Sequence, residues 1–77
     1  MNDKRNDVDV VMLRGLRGLR LERRLTIKQL GAMVGCSGAH ISQIERGIKT
    51  PSLVLVTRLS RALECSLREL LGSVVQP

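Results

Sequence analysis

The chain has no aromatic side chains: none of its 77 residues is Phe, Tyr or Trp. Proteins that recognise single-stranded nucleic acid usually stack the bases on aromatic rings, and RNA-binding sheets carry their contacts on the same side chains. The composition therefore argues against both of these modes of recognition.

Candidate metal-binding and catalytic groups are also scarce. The chain has one histidine, and its two cysteines, Cys36 and Cys65, lie too far apart for a metal-ligand spacing, so we expect no metal and no cofactor. Without a glycine-rich phosphate loop or a nucleophile and acid to pair with the histidine, we expect no enzyme. The cysteines are expected to be small buried residues in a reducing compartment, with a disulfide or redox switch as the alternative.

Long apolar segments are missing as well. No run reaches the length of about eighteen apolar residues that a membrane span needs, and the N-terminal stretch is mostly polar. We therefore expect a cytoplasmic protein without a membrane span or a secretory signal.

Positive charge is in excess. Thirteen Lys and Arg against seven Asp and Glu give a formal net charge of +6, and Asp3, Asp7 and Asp9 fall in the first nine residues, so the folded part is more basic still. Such a balance favours an acidic polymer as partner, and without aromatic side chains double-stranded DNA is favoured over single strands. The short length predicts a single domain that would gain stability from a partner chain.

Apolar residues recur at helical spacing with no alternating segment, which predicts an all-α fold. We expect a compact five-helix domain at residues 9–72, between a flexible polar arm at residues 1–8 and a tail at residues 73–77. The first helix is expected at about 9–24, the third at 38–46 and the fifth at 67–71. Capping boxes, Thr26 with Gln29 and Ser66 with Glu69, are expected to open the second and fifth helices. The fourth is expected to start at Pro51 and end near Glu64, with an inward stripe of Leu53, Val56, Leu59 and Leu63.

Residues 27–47 have the spacing of two short helices that cross at a tight turn. Leu30 is expected to face inward, Gly31 to allow close helix approach, and Gly35 to end the first of these helices in the left-handed conformation. Ser37 then caps the second helix, whose buried stripe includes Ile41. The opposite face, made by Ala39, Ser42, Gln43 and Arg46, is small and hydrogen-bonding, which suits a DNA groove.

This segment and the chain around it resemble the helix-turn-helix regulators of the phage Cro/repressor type, also called the xenobiotic-response-element family. The resemblance covers roughly residues 10–71. It rests on separated landmarks that agree in order and spacing: Leu16 to Arg20, Leu25-Thr26, Gly35 to Ser37, His40 to Gly47, Pro51 to Leu53, Arg61 to Leu63 and Ser66 to Leu71. The resemblance implies a sequence-specific DNA-binding transcriptional regulator that inserts helix 38–46 into the major groove.

The resemblance also implies roles for individual residues. Base readout would fall to Gly38, Ala39, Ser42 and Gln43. Candidate phosphate contacts are Thr26 and Ser37 at helix N-termini, Arg46, Lys49 and Thr50 near the end of the third helix, and His40 at the rim, where a solvated histidine is an equal alternative. The family usually has glutamine as a phosphate clamp where this chain has Ile27. Arg14, Arg17, Arg23 and Arg24 are expected to form an ordinary solvated face, with specific phosphate contact as the alternative.

Two further expectations concern structure and assembly. By resemblance, Arg20 and Glu45 form a structural ion pair between the first helix and the end of the third. Apolar residues beyond the needs of one small core predict a homodimer on an inverted repeat, with an interface made by Val54, Leu55, Leu70, Leu71, Val74 and Val75.

Alternatives remain open at this level. A protein-interaction adaptor, antirepressor or antitoxin could keep the fold with weak or no DNA binding, although Ser37, Gln43 and Arg46 favour a DNA-binding repressor. A small stand-alone regulator, which the length favours, and the DNA-binding end of a longer protein are both consistent with the residues.

Overall fold

The computed structural model describes residues 12–72, and this part of the chain is helical with no strand. Its helices are α1 (Leu16–Glu22), α2 (Ile27–Val34), α3 (Gly38–Glu45), α4 (Leu53–Leu63) and α5 (Leu67–Leu71). Helix α2 packs against α3 and α4, and α5 packs against α1 and α4. The all-α five-helix fold that the sequence predicts is confirmed.

The first helix is shorter than the sequence predicts. Residues 12–15 are not helical, and Gly15 is the N-cap of α1. The backbone N–H of Gly15 donates to the carbonyl of Leu70 at 2.8 Å, and a Cβ atom at this position would collide with the carbonyl of Glu69. The chain entering α1 is thus held against the end of α5, and within the described residues α1 does not extend before Leu16. Residues 9–11 of the predicted helix lie outside the described range.

The core of the described region is made by ten apolar side chains: Leu13, Leu16, Leu30, Val34, Ile41, Ile44, Leu55, Leu59, Leu63 and Leu70. Every helix contributes at least one of them. Burying a Leu or Ile side chain is worth about 1.5–3 kcal/mol, so this shared core is what holds five short helices together. Because the helices are too short to be stable alone, the domain depends on this packing.

The inward face of α4 differs from the predicted stripe. Leu55, Leu59 and Leu63 are buried, whereas Leu53 is 80% exposed. Ser52, not Pro51, caps the helix: its hydroxyl accepts a hydrogen bond from the backbone N–H of Leu55 at 3.1 Å. The helix therefore begins at Leu53. Its buried residues, Leu55, Leu59 and Leu63, follow one another at intervals of four.

Both predicted capping boxes are present. In the box that opens α2, the N–H of Gln29 donates to the Thr26 hydroxyl at 2.9 Å and the Gln29 side chain accepts from the N–H of Thr26 at 2.8 Å. Ser66 and Glu69 repeat this arrangement at α5. Within residues 12–72, none of the helices has the length and hydropathy to cross a membrane.

Candidate nucleic-acid interface

The turn between α2 and α3 depends on two glycines. Gly35 ends α2 in the left-handed conformation, with φ +83°, which an L side chain rarely adopts. At Gly31, a Cβ atom would lie 2.5 Å from the carbonyl oxygen of Cys36, so the turn can fold back onto α2 only if this position is glycine. Both glycines have the roles that the sequence predicts for them.

Ser37 opens α3. Its hydroxyl accepts a hydrogen bond from the backbone N–H of His40 at 3.0 Å, and the side chain is exposed. Thr26 is likewise an exposed cap, at the start of α2. Each hydroxyl uses a lone pair as the cap and keeps its proton available to donate to an anionic oxygen outside the protein.

Helix α3 has two different sides. Ile41 and Ile44 are fully buried, whereas Ala39 is exposed and Ser42 and Gln43 are half-buried. Among the hydrogen bonds of residues 12–72, none involves the side chain of Ser42 or Gln43. Their polar groups are therefore free to pair with groups on a ligand.

Gly38 does not belong to this outer face. A Cβ atom built there would lie 3.2 Å from the Cα and backbone N of Lys28, and so points at the start of α2. A side chain at residue 38 would face the neighbouring helix and not a DNA groove. Gly38 thus allows the close approach of α2 and α3, and its assignment to base readout stays a prediction.

The predicted phosphate contacts surround α3. Arg46, the C-cap of the helix, is exposed, as are Lys49 and Thr50, while His40 is half-buried near the N-terminus. The N–H groups of Ile48 and Lys49 donate to the carbonyl of Gln43, at 2.8 and 3.2 Å, which folds the connector back along the end of α3. Two separate sets of cationic and polar groups thus lie at the two ends of the helix.

The ion pair between Arg20 and Glu45 is present. Nε of Arg20 donates to Oε2 of Glu45 at 2.6 Å, Nη2 donates to Oε1 at 3.1 Å, and Nη1 donates to the carbonyl of Leu25 at 2.8 Å. Only 10% of the Arg20 side chain and 6% of the Glu45 side chain are exposed. The hydrogen bond to Glu45 raises the pKa of Arg20, and burial opposes this effect.

A groove of about 420 Å³ lies beside this ion pair, and we call it the Arg17–Arg46 groove. It is lined by Arg17, Arg20, Ile27, Ser42, Glu45 and Arg46. It therefore connects the outer face of α3 with α1 and with the first residue of α2. From the sequence, Arg17 is expected on a solvated face, because the spacing of arginines along α1 does not reveal which of them lies next to α3.

The residues predicted to form the dimer interface do not all lie on the surface. Leu55 is only 8% exposed and Leu70 is fully buried, so both belong to the core of one chain and not to a surface. Val54 and Leu71 are exposed, and Val74 and Val75 lie outside the described residues. Leu53 and Leu67, which the prediction leaves out, are more than half exposed. For Leu53 the reason is the register of α4, which is capped by Ser52, begins at Leu53 and turns this side chain outward.

The two cysteines are both free and partly buried against the core. Burial raises the pKa of the Cys36 and Cys65 thiols. Among residues 12–72, no three His, Cys, Asp or Glu side chains are grouped so that they could hold a metal ion.

Two short capped helices that cross at a left-handed glycine, with a free polar face on the second helix, define a helix-turn-helix domain. The family model described as helix-turn-helix matches residues 16–70, and the chain belongs to this family. It therefore carries a DNA-binding domain of the phage repressor type, the kind found in transcriptional regulators.

Individual proteins are similar over most of this region. The HTH-type transcriptional repressor RghR of Bacillus subtilis (strain 168) is 44% identical over 50 residues, which are 64% of this chain and 37% of RghR. The P22 c2 repressor protein, solved in complex with a synthetic operator, superposes with a TM-score of 0.72 and 37% identity over 78% of this chain and 91% of that chain. The restriction-modification controller protein C.AhdI of Aeromonas hydrophila has a TM-score of 0.70 and 33% identity over 74% of this chain and 86% of that chain.

Proposed function

We propose that the chain is a transcriptional repressor that binds specific double-stranded DNA as a homodimer, with α3 of each protomer in the major groove of one half of an inverted repeat. The observation that carries the proposal is the division of α3 into a buried side, with Ile41 and Ile44, and an outer side with unpaired polar groups. In helix-turn-helix proteins the second helix enters the major groove with such a side facing the base edges.

Three side chains are assigned to base readout. The amide of Gln43 matches the N6 and N7 groups of adenine, the methyl group of Ala39 matches the methyl group of thymine, and the hydroxyl of Ser42 donates or accepts. One good bidentate pair is worth about 1–3 kcal/mol of discrimination against the wrong base. With only one long polar side chain among the three, DNA shape and dimer symmetry supply the remaining specificity.

The groups around α3 are assigned to the DNA backbone. Thr26 and Ser37 offer hydroxyl donors and helix N-termini to phosphates, and Arg46, Lys49, Thr50 and His40 extend these contacts along the strands. These contacts position the protein without reading sequence. The net charge of +6 adds a long-range attraction for DNA, so we place the protein on the nucleoid, in the cytoplasm.

The dimer contact is assigned to an apolar groove between α4 and α5. The groove has a volume of about 270 Å³ and is lined by Pro51, Leu53, Val56, Leu67 and Leu71, with no charged side chain among the described residues that form it. Leu53 and Leu67 are largely exposed at its edge, and Val54 lies beside it on α4. Because a small domain buries little apolar area of its own, covering this apolar groove with a second copy stabilises both protomers. The two α3 helices would then contact sites about 34 Å apart, one turn of DNA.

Repression is supported by two of the similar proteins, because RghR is named a transcriptional repressor and the P22 c2 repressor was solved on an operator. The chain spans 37% of the length of RghR.

The proposal is tested by selecting bound duplexes from genomic DNA and measuring their affinity at several salt concentrations. A repressor of this kind should prefer the selected inverted repeat over random duplex, with a steep fall in affinity as salt rises, because bound phosphates release counterions. A protein-interaction adaptor with the same fold would show weak binding without sequence preference. That result would contradict the proposal.

A further inference from the structure

We infer that Arg17 and Arg46 hold a single DNA backbone phosphate between them in the Arg17–Arg46 groove. The inference rests on the proposed function, since it names the ligand of this groove as a phosphodiester of the strand that α3 contacts. From the sequence, phosphate contact by Arg17 is only the alternative to a solvated face, and a phosphate shared with Arg46 is not predicted.

Positive charge comes to the groove from two separate helices. Arg17 belongs to α1 and Arg46 to the end of α3, and both line the same groove and are exposed. Across residues 12–72, neither guanidinium takes part in a salt bridge or a side-chain hydrogen bond. Two unpaired guanidinium groups that line one groove match an anion with several acceptor oxygens.

The carboxylate that also lines the groove is already neutralised. Glu45 would repel a phosphate if its charge were free, but both of its oxygens accept hydrogen bonds from Arg20, at 2.6 and 3.1 Å. The ion pair therefore forms a neutral inner wall, and the charge that faces the open side of the groove comes from Arg17 and Arg46. The local field is positive despite the buried acid.

The groove also lies where a DNA strand would pass. Ser42, which belongs to the outer face of α3, lines it, and so does Ile27 at the start of α2. A phosphate held there lies beside the helix that enters the major groove, where the strand bordering that groove must pass. Ile27 offers an apolar wall to the sugar and no donor, so Arg17 supplies from α1 the contact that a polar side chain at residue 27 would otherwise make.

The test measures binding of the full chain to a selected duplex in which single phosphates are replaced, one at a time, by neutral methylphosphonates. One position should weaken binding by the unmodified protein by about tenfold, the loss expected for a charge-assisted contact. At that same position, and not at others, the replacement should have a smaller effect on Arg17→Ala and on Arg46→Ala than on the unmodified protein, and little effect on the variant that carries both substitutions. Arg17→Lys, which keeps the charge, should retain part of the sensitivity.

Arg61→Ala is the matched control, because Arg61 is an exposed arginine that lines a different groove with Met33, Arg58 and Ala62. It should keep the full sensitivity at every phosphate. The inference is overturned, with the proposed function intact, if Arg17→Ala behaves like Arg61→Ala or if Arg17 and Arg46 respond to different phosphates. If the unmodified protein fails to bind any duplex, the proposed function fails and this inference fails with it.

Discussion

Arg20 holds both carboxylate oxygens of Glu45 and, through its third nitrogen, the carbonyl of Leu25. One guanidinium thereby ties α1 to the end of α3 and to the chain that leads into α2. Because both side chains are nearly buried, this contact fixes the orientation of α3 relative to the rest of the domain. The direction in which the outer face of α3 points therefore depends on the Arg20–Glu45 ion pair.

Removing one member of this pair should be strongly destabilising. Arg20→Gln leaves the buried Glu45 without its partner and should lower the free energy of unfolding by about 3 kcal/mol. Urea denaturation followed by circular dichroism measures this change. The double substitution Arg20→Met with Glu45→Leu should recover most of the loss, because no buried charge then remains. If the single and double variants are equally unstable, the desolvated charge is not the cause.

Two helix-interior glycines should respond in opposite directions to the same substitution. At Gly18 a Cβ atom would meet nothing within 4 Å, so Gly18→Ala should stabilise the domain by about 1 kcal/mol through helix propensity. Gly31→Ala gains the same propensity but places its Cβ 2.5 Å from the carbonyl oxygen of Cys36. It should therefore destabilise the domain and disturb the turn that positions α3. Urea midpoints that shift in the same direction for both variants would contradict this account.

Gln43 and Arg46 should differ in how their loss affects specificity. Gln43→Ala should weaken binding to the selected operator more than to random duplex, by about 1–3 kcal/mol at one base pair of each half-site. Arg46→Ala should weaken both by similar factors and lower the salt dependence, because it removes a phosphate contact. Competition binding with single base-pair variants measures both effects. Equal losses on operator and random DNA for Gln43→Ala would remove Gln43 from base readout.

Sequence and structure agree best where one short motif fixes the local geometry. Thr26, Ser37 and Ser66 each accept a backbone hydrogen bond three residues on, so the pattern of cap and following residue is enough to place the starts of α2, α3 and α5. The left-handed turn at Gly35 is predictable for the same reason. The Arg20–Glu45 pair, by contrast, follows only from the family resemblance, because its members are 25 positions apart.

Sequence reasoning fails where the outcome depends on packing between distant segments. Leu53 and Leu55 are the same residue type, so residue type alone does not distinguish them. The cap at Ser52 and the packing of α4 against α2 determine that Leu55 is buried. The backbone of Leu70 is held by a segment far earlier in the chain, since its carbonyl accepts a hydrogen bond from Gly15, and its side chain is buried in the core. Arg17 becomes a candidate contact only because α1 lies beside the end of α3.

The proposed dimer should depend on the apolar groove between α4 and α5. Leu53→Asp should convert the dimer to a monomer, because it places a charge in a surface that association would desolvate, and the chain should remain folded since Leu53 is 80% exposed. Sedimentation equilibrium and circular dichroism measure the two properties. Met33→Asp, an equivalent change at an exposed apolar residue in another groove, should leave the dimer intact. A Leu53→Asp variant that still dimerises would place the interface elsewhere.

The buried thiols should make stability decrease at high pH. Burial raises the pKa of Cys36 and Cys65 above the ordinary value of 9.0, so the folded state favours the neutral thiols. Their contribution to stability is complete below the pKa of the unfolded chain and is lost as pH rises through the higher pKa of the folded chain. Urea denaturation from about pH 7 to about pH 10 should show a steeper decline for the unmodified protein than for the Cys36→Ala/Cys65→Ala variant. Parallel declines would show that other groups are responsible.

The central claim is that the outer face of α3 lies against base edges in the major groove, and methylation interference on a selected duplex tests it most directly. Methylation of guanine N7, which lies in the major groove, should block binding within two half-sites whose centres are about 34 Å apart. Interference confined to adenine N3 in the minor groove, or binding that is insensitive to N7 methylation, would contradict the account.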